Sequence, residues 1–105
     1  MEIEKVKVVT ICGSMKFKQK MREVAFNLEK ENGWAVIQCV YNDNNLILTD
    51  NEINKLILAH YKKILISDVI FVVNENNYIG EQVKKEIEFA KQHNKEIMYL
   101  TDYNY

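Results

Sequence analysis

Short β-branched or apolar runs alternate with amphipathic segments along the whole of this chain, and that alternation constrains its fold more than any other feature. The runs occupy residues 5–12, 34–40, 69–73 and 96–101 and read as strands. The intervening segments carry apolar residues at helical spacing. Residues 15–32 place Phe17, Met21, Val24, Ala25 and Leu28 on one face. Residues 50–65 do the same with Ile53, Leu56, Ile57, Tyr61 and Ile64, and residues 81–93 with Val83, Ile87 and Ala90. Ser14 fits an N-cap and Gly33 a C-terminal stop for the first helix. The asparagine-rich segment 41–50 and the turn-rich segment 74–80 read as loops.

A β-α-β-α-β-α-β order with apolar strands predicts an α/β domain in which helices cover both faces of a parallel sheet. With right-handed crossovers the favoured arrangement is a flavodoxin-like, Rossmann-like three-layer domain, its four-stranded parallel sheet ordered 2-1-3-4. The chain has 105 residues, one domain's worth, with no proline, no repeat and no linker, so residues 1–105 are read as a single domain. Ligands of such sheets bind beyond the carboxyl ends of the strands, at the switch between the first and third strands. That points to two loops, residues 13–15 and 74–81.

Charge and cysteine content narrow the function classes. A net charge of −1 argues against a nucleic-acid polymer or a membrane surface as partner. The longest apolar runs are strand-sized, too short to span a bilayer, and the N-terminus lacks a signal-peptide pattern, so a cytoplasmic location is expected. Cys12 and Cys39 stand 27 positions apart inside apolar runs, with no Cys-x-x-Cys or Cys/His cluster. Two buried free thiols are expected, and no metal site.

The loop Cys12-Gly13-Ser14-Met15-Lys16 joins a strand to a helix N-terminus, an arrangement that suits an anion. Lys16, Lys18, Lys20 and Arg22 crowd the same helix start, either solvated or facing a bound anion. In the second loop Asn74, Tyr78, Gly80 and Glu81 are candidate contacts: Tyr78 for stacking on a base or as a lid on the core, Gly80 for close backbone approach or a positive φ. Glu86 is the most informative residue, because it interrupts the apolar stripe of the third helix near its crevice end. A half-buried carboxylate there is either functional or paired with Lys85 or Lys62. His60, on the apolar face of the second helix, reads as a core histidine or a site residue. Asp68 precedes the third strand at the opposite edge of the sheet and reads as a cap or turn residue.

These blocks resemble the nucleoside 2-deoxyribosyltransferase-like superfamily, which includes deoxyribosyltransferases and 2′-deoxynucleoside 5′-phosphate N-hydrolases. The resemblance runs from about Val6 to Leu100 and is closest to short bacterial and phage members. It rests on residues 11–16, on Ser67-Asp68 with the run to Asn74, and on Tyr78-Ile79-Gly80-Glu81 followed by Glu86-Ile87-Glu88-Phe89-Ala90. It implies that Glu86 is the nucleophile, that Gly13 and Ser14 bind sugar or 5′-phosphate, that no metal or organic cofactor is needed, and that neighbouring subunits complete the sites. The chain departs from the family pattern at Thr10, where many members carry tyrosine, and at His60, where a second catalytic aspartate is usual. Asparagines replace the acidic loop before the glutamate.

Two readings follow. One is an enzyme acting on the N-glycosidic bond of a nucleoside or nucleotide, by deoxyribosyl transfer or hydrolysis, with Glu86 as nucleophile and His60 orienting the sugar or moving a proton. The other is a non-catalytic nucleotide or nucleotide-sugar binding module using the same crevice. A blander third is a subunit whose surface serves assembly. A homodimer or higher homo-oligomer is expected from the thin core, the exposed edge strand and the terminal aromatics Tyr103 and Tyr105.

Overall fold

The computed structural model describes residues 2–103; Met1, Asn104 and Tyr105, and with them the expectation placed on Tyr105, lie outside the described residues. Strands β1 (Val8–Gly13), β2 (Ala35–Ile37), β3 (Val69–Val73) and β4 (Glu96–Tyr99) form one parallel sheet ordered β2-β1-β3-β4. Helices α1 (Lys18–Asn32), α2 (Asp50–Leu65) and α3 (Glu81–Gln92) make the crossovers. Central β1 pairs Val9 with Val69 through Gly13 with Val73, and β3 pairs Val69 with Glu96 through Val72 with Tyr99.

Side-chain alternation along the strands divides the core into two layers. Val9 and Ile11 of β1 join Val69, Phe71 and Val73 of β3 under α1, which contributes Met21, Val24, Ala25 and Leu28. Cys12, Ile70 and Val72 face the other way, toward Ile64 of α2 and Val83, Ile87 and Ala90 of α3. Thr10 and Cys12 therefore face the helices on this side, Thr10 reaching the Lys63 carbonyl and Cys12 the His60 ring of α2.

Local chemistry fixes the ends of the elements. Gly33 closes α1 in the left-handed region, at φ 68°. Thr49 opens α2 with a full capping box: its side chain accepts from the Glu52 N–H at 3.1 Å, and Glu52 Oε1 accepts from the Thr49 N–H at 2.9 Å. The Thr49 N–H, and after it the Thr49 hydroxyl, holds the Glu52 carboxyl below its ordinary range. At the amino edge of the sheet, Asp68 accepts from the Val8 N–H at 2.8 Å and tethers β1 to β3, far from the carboxyl end. Tyr103 packs on the domain itself, edge-on to Phe71 with ring centroids 5.3 Å apart.

The structure corrects several expectations. The helix expected from residue 15 starts at Lys18, because Met15–Phe17 form a separate 3-10 turn capped by Ser14. The second strand ends at Ile37, so Cys39 lies past it and is half-buried, while Cys12 is fully buried; both are free. Of the α2 stripe only Ile64 is buried, and Ile53 and Leu56 are each 42% exposed. The first half of α2 stands off the sheet, and its apolar side chains line a cavity instead.

Candidate functional site

That cavity, of about 410 Å³, lies at the carboxyl end of the sheet and falls in the usual range for small-ligand sites. Gly13 and Met15 bring the end of β1 to it. Cys39, Val40, Asn42 and Leu48 come from the long β2–α2 connection. Ile53, Leu56 and Ile57 form an apolar wall on α2, and His60, Lys63 and Glu86 add the titratable polar groups. Glu86 is the one carboxylate lining it among the described residues.

Glu86 is buried, 7% exposed, on the face of α3 between Val83 and Ile87. Its partner is neither Lys85 nor Lys62 but His60, whose Nε2 lies 3.3 Å from Glu86 Oε1. The same Nε2 lies 3.4 Å from Cys12 Sγ. His60 Nδ1 is buried with no hydrogen-bond partner among the described residues. A buried ring nitrogen left unanswered costs stability, so this imidazole is not the satisfied core histidine that its helix position allows. Burial pushes the Cys12 thiol well above its ordinary pKa, and the charge and hydrogen bond of Glu86 push the same way. Cys12 is therefore a neutral thiol beside the pair.

Beneath this group, Thr10 Oγ1 and Ser67 Oγ are 2.6 Å apart, and both reach the Lys63 carbonyl, at 3.1 and 2.7 Å. This buried triangle pins the last turn of α2 to β1. Lys63 Nζ in turn donates to the Gln38 carbonyl at 2.9 Å, tying the start of the β2–α2 connection to α2.

Gly13 has a structural reason to be glycine. A Cβ there would meet Met21 Sδ at 3.1 Å and the Val73 carbonyl oxygen at 3.3 Å. Ser14 accepts from the Lys16 N–H at 3.4 Å. Lys16 Nζ sits 3.2 Å from the centroid of the Tyr78 ring, and Phe17 meets that ring edge-on at 5.9 Å. Tyr78, 44% exposed, thus clasps the two loops together. The other cations of the helix start are matched by acids. Lys18 and Arg22 pair with Asp43 at 3.4 and 2.6 Å, and Lys20 with Glu23 at 3.1 Å. The Arg22 hydrogen bond, then that of Lys18, holds the Asp43 carboxyl below its usual range.

Of the residues expected at the site, Gly13, Met15, His60 and Glu86 meet around the cavity, with Ser14 and Lys16 beside it on the β1 loop. The post-β3 loop does not line it. Asn74 is buried and clamps Thr101, donating to Oγ1 at 3.1 Å and accepting from its N–H at 3.2 Å. Glu81 is exposed and pairs with Lys84 at 3.1 Å. Gly80 has φ −74°, so a positive φ does not explain it, and a Cβ there would meet the Tyr78 hydroxyl at ordinary contact distance, 3.6 Å. Sequence reasoning missed Cys12, Lys63 and the β2–α2 connection. The last has a signal: every connection after a parallel strand emerges on the ligand-binding end.

No protein-family model and no curated protein matches this chain. Among solved structures it resembles the CMP N-glycosidase BcmB of Clostridium botulinum. The TM-score is 0.56 at 19% identity, over 89% of this chain and 70% of that one. At that identity the likeness speaks to the α/β three-layer fold. Among the described residues no helix is long and apolar enough to cross a membrane.

Proposed function

We propose that the chain acts on the N-glycosidic bond of a nucleotide or nucleoside, with Glu86 as nucleophile. The observation that carries this reading is a buried carboxylate facing a ligand-sized cavity at the carboxyl end of the sheet, with an imidazole 3.3 Å away. A solved structure of the same fold belongs to an enzyme that acts on such a bond in CMP, which supports the choice of substrate class.

In this mechanism a Glu86 oxygen attacks the anomeric carbon from the face opposite the base. The C–N bond breaks, and its electron pair leaves on the base nitrogen, which takes a proton from water or from protonated His60. Water, or a second base in a transfer reaction, then attacks the same carbon and frees the Glu86 carboxylate. His60 holds that carboxylate in place for the attack and again once the second step has freed it, in the position where the resembled family carries a second acid. The apolar wall of Ile53, Leu56 and Ile57 keeps bulk water from the glycosyl-enzyme. A 5′-phosphate would sit at the β1 loop, near Ser14 and Lys16.

The binding-module reading draws on one specific observation. Glu86 is the sole carboxylate lining the cavity among the described residues, where most glycosidases place a pair. Incubation with a panel of nucleosides, deoxynucleosides and their 5′-phosphates, followed by chromatography for free base, separates the two. Base release supports the enzyme; saturable binding without release supports the module.

Association with a second copy is part of the same proposal. Leu46, Ile47 and Leu58 remain exposed around the first half of α2, an apolar surface that a neighbouring subunit would cover. A monomer at tens of micromolar in sedimentation equilibrium would contradict it.

A further inference from the structure

The three side chains around His60 do not form a relay. In a nucleophile–imidazole–carboxylate triad the two partners sit on opposite ring nitrogens. Here Cys12 Sγ and Glu86 Oε1 both approach Nε2, at 3.4 and 3.3 Å, and Nδ1 has no partner among the described residues. Three ligand atoms of different chemistry converge on one point, and all lie within 4.8 Å of one another.

We propose that Cys12, His60 and Glu86 form a three-ligand site for a thiophilic divalent cation, Zn²⁺ in the first place. Zinc takes thiolate at about 2.3 Å and imidazole nitrogen or carboxylate oxygen at about 2.0–2.2 Å, which at tetrahedral angles separates sulfur from nitrogen by roughly 3.5 Å and nitrogen from oxygen by roughly 3.4 Å. Two of the three edges of the site already have those lengths. The ligands come from rigid elements: Cys12 from the central strand, His60 from α2 and Glu86 from α3. A Cys/His/carboxylate set suits zinc over magnesium or calcium, which prefer oxygen alone. His60 and Glu86 line the cavity, so the fourth position adjoins the ligand space, as in zinc sites that keep an open coordination position.

On binding, the cation replaces the Cys12 thiol proton, which passes to solvent, and Glu86 becomes a metal ligand. Resting on the glycosidic reading, this makes the ion an inhibitor: a carboxylate held by zinc cannot attack a sugar. Neither the sequence spacing nor the fold advertises the site, because Cys12 and His60 are 48 positions apart.

The test uses the full chain, freed of metal with chelator and kept reduced. Zn²⁺ alone is titrated against a chromophoric chelator, and Co²⁺ alone is followed by absorption. The expected result is one Zn²⁺ per chain and a thiolate-to-Co²⁺ charge-transfer band. Cys12→Ser should abolish the band, and Cys12→Ser and His60→Gln should each weaken Zn²⁺ by at least about tenfold. Circular dichroism checks that each variant folds, and either one suffices. Wild type that holds Zn²⁺ no more tightly than a folded variant, or a Co²⁺ spectrum without the thiolate band, overturns the site. Base release is measured separately on metal-free protein. Zinc binding without any base release leaves the site standing and removes the glycosidic reading. Base release undiminished by one bound equivalent of Zn²⁺ overturns the assignment of Glu86 as a ligand.

Discussion

Replacing His60 with leucine should expose how strongly the buried Glu86 carboxylate depends on its one imidazole partner. The two groups are 3.3 Å apart and their side chains are 12% and 9% exposed, so solvent gives the carboxylate little help once the ring is gone. Breaking a buried ion pair by deleting one member costs about 3–5 kcal/mol when the other must stay charged. The destabilisation of His60→Leu is therefore expected at about 3–5 kcal/mol near pH 7. Urea unfolding with chelator and reductant present measures this. The double variant His60→Leu/Glu86→Leu should recover most of the loss, because no charge is then stranded. A cost below about 1 kcal/mol, with no rescue in the double variant, would refute the claim that this pair is electrostatically coupled.

Other consequences are smaller. Gly13→Ala should cost about 1–3 kcal/mol and lower the melting temperature, because the new Cβ presses on the Val73 carbonyl oxygen at 3.3 Å, which is backbone and cannot turn aside. Cys12 ionises less readily folded than unfolded, so wild type should lose stability as pH rises above the ordinary thiol pKa of about 8.5, by up to about 1.4 kcal/mol per pH unit. Cys12→Ser should lack that component, and equal slopes for the two proteins in melts across this range would contradict it. Ser14→Ala with Lys16→Ala should weaken a nucleoside 5′-phosphate more than its nucleoside in titration calorimetry. If Lys63→Ala carries that loss instead, the phosphate lies on the α2 side of the cavity.

The layers of the fold were legible because their signals are local. Val69–Val73 is a continuous apolar run that only a doubly covered strand tolerates, and the alternation with helical segments leaves few sheet orders. Glu86 was legible because a carboxylate in an apolar stripe contradicts its surroundings. The α2 stripe misled for a related reason. Periodicity reports which side chains avoid water, not whether a sheet or a cavity receives them, so Ile53, Leu56 and Ile57 read as core. The contact between Cys12 and His60 was not legible at all. It depends on the pleat of β1, which turns Cys12 toward α2, and on the Thr10–Ser67–Lys63 triangle, which sets where α2 crosses. Asn74 and Glu81 were drawn toward the site by their loop, yet the structure gives one to Thr101 and the other to Lys84.

The most direct measurement of the central claim is a search for sugar on Glu86. Metal-free protein is mixed with the nucleotide from the panel that gives most free base, quenched in acid during turnover, digested and weighed by mass spectrometry. The account predicts a glycosyl adduct on the peptide that contains Glu86. It also predicts that Glu86→Gln, folded and still binding nucleotide, gives no adduct and releases base slower by several orders of magnitude. Base release by Glu86→Gln at close to the wild-type rate, with no adduct in either protein, would contradict it.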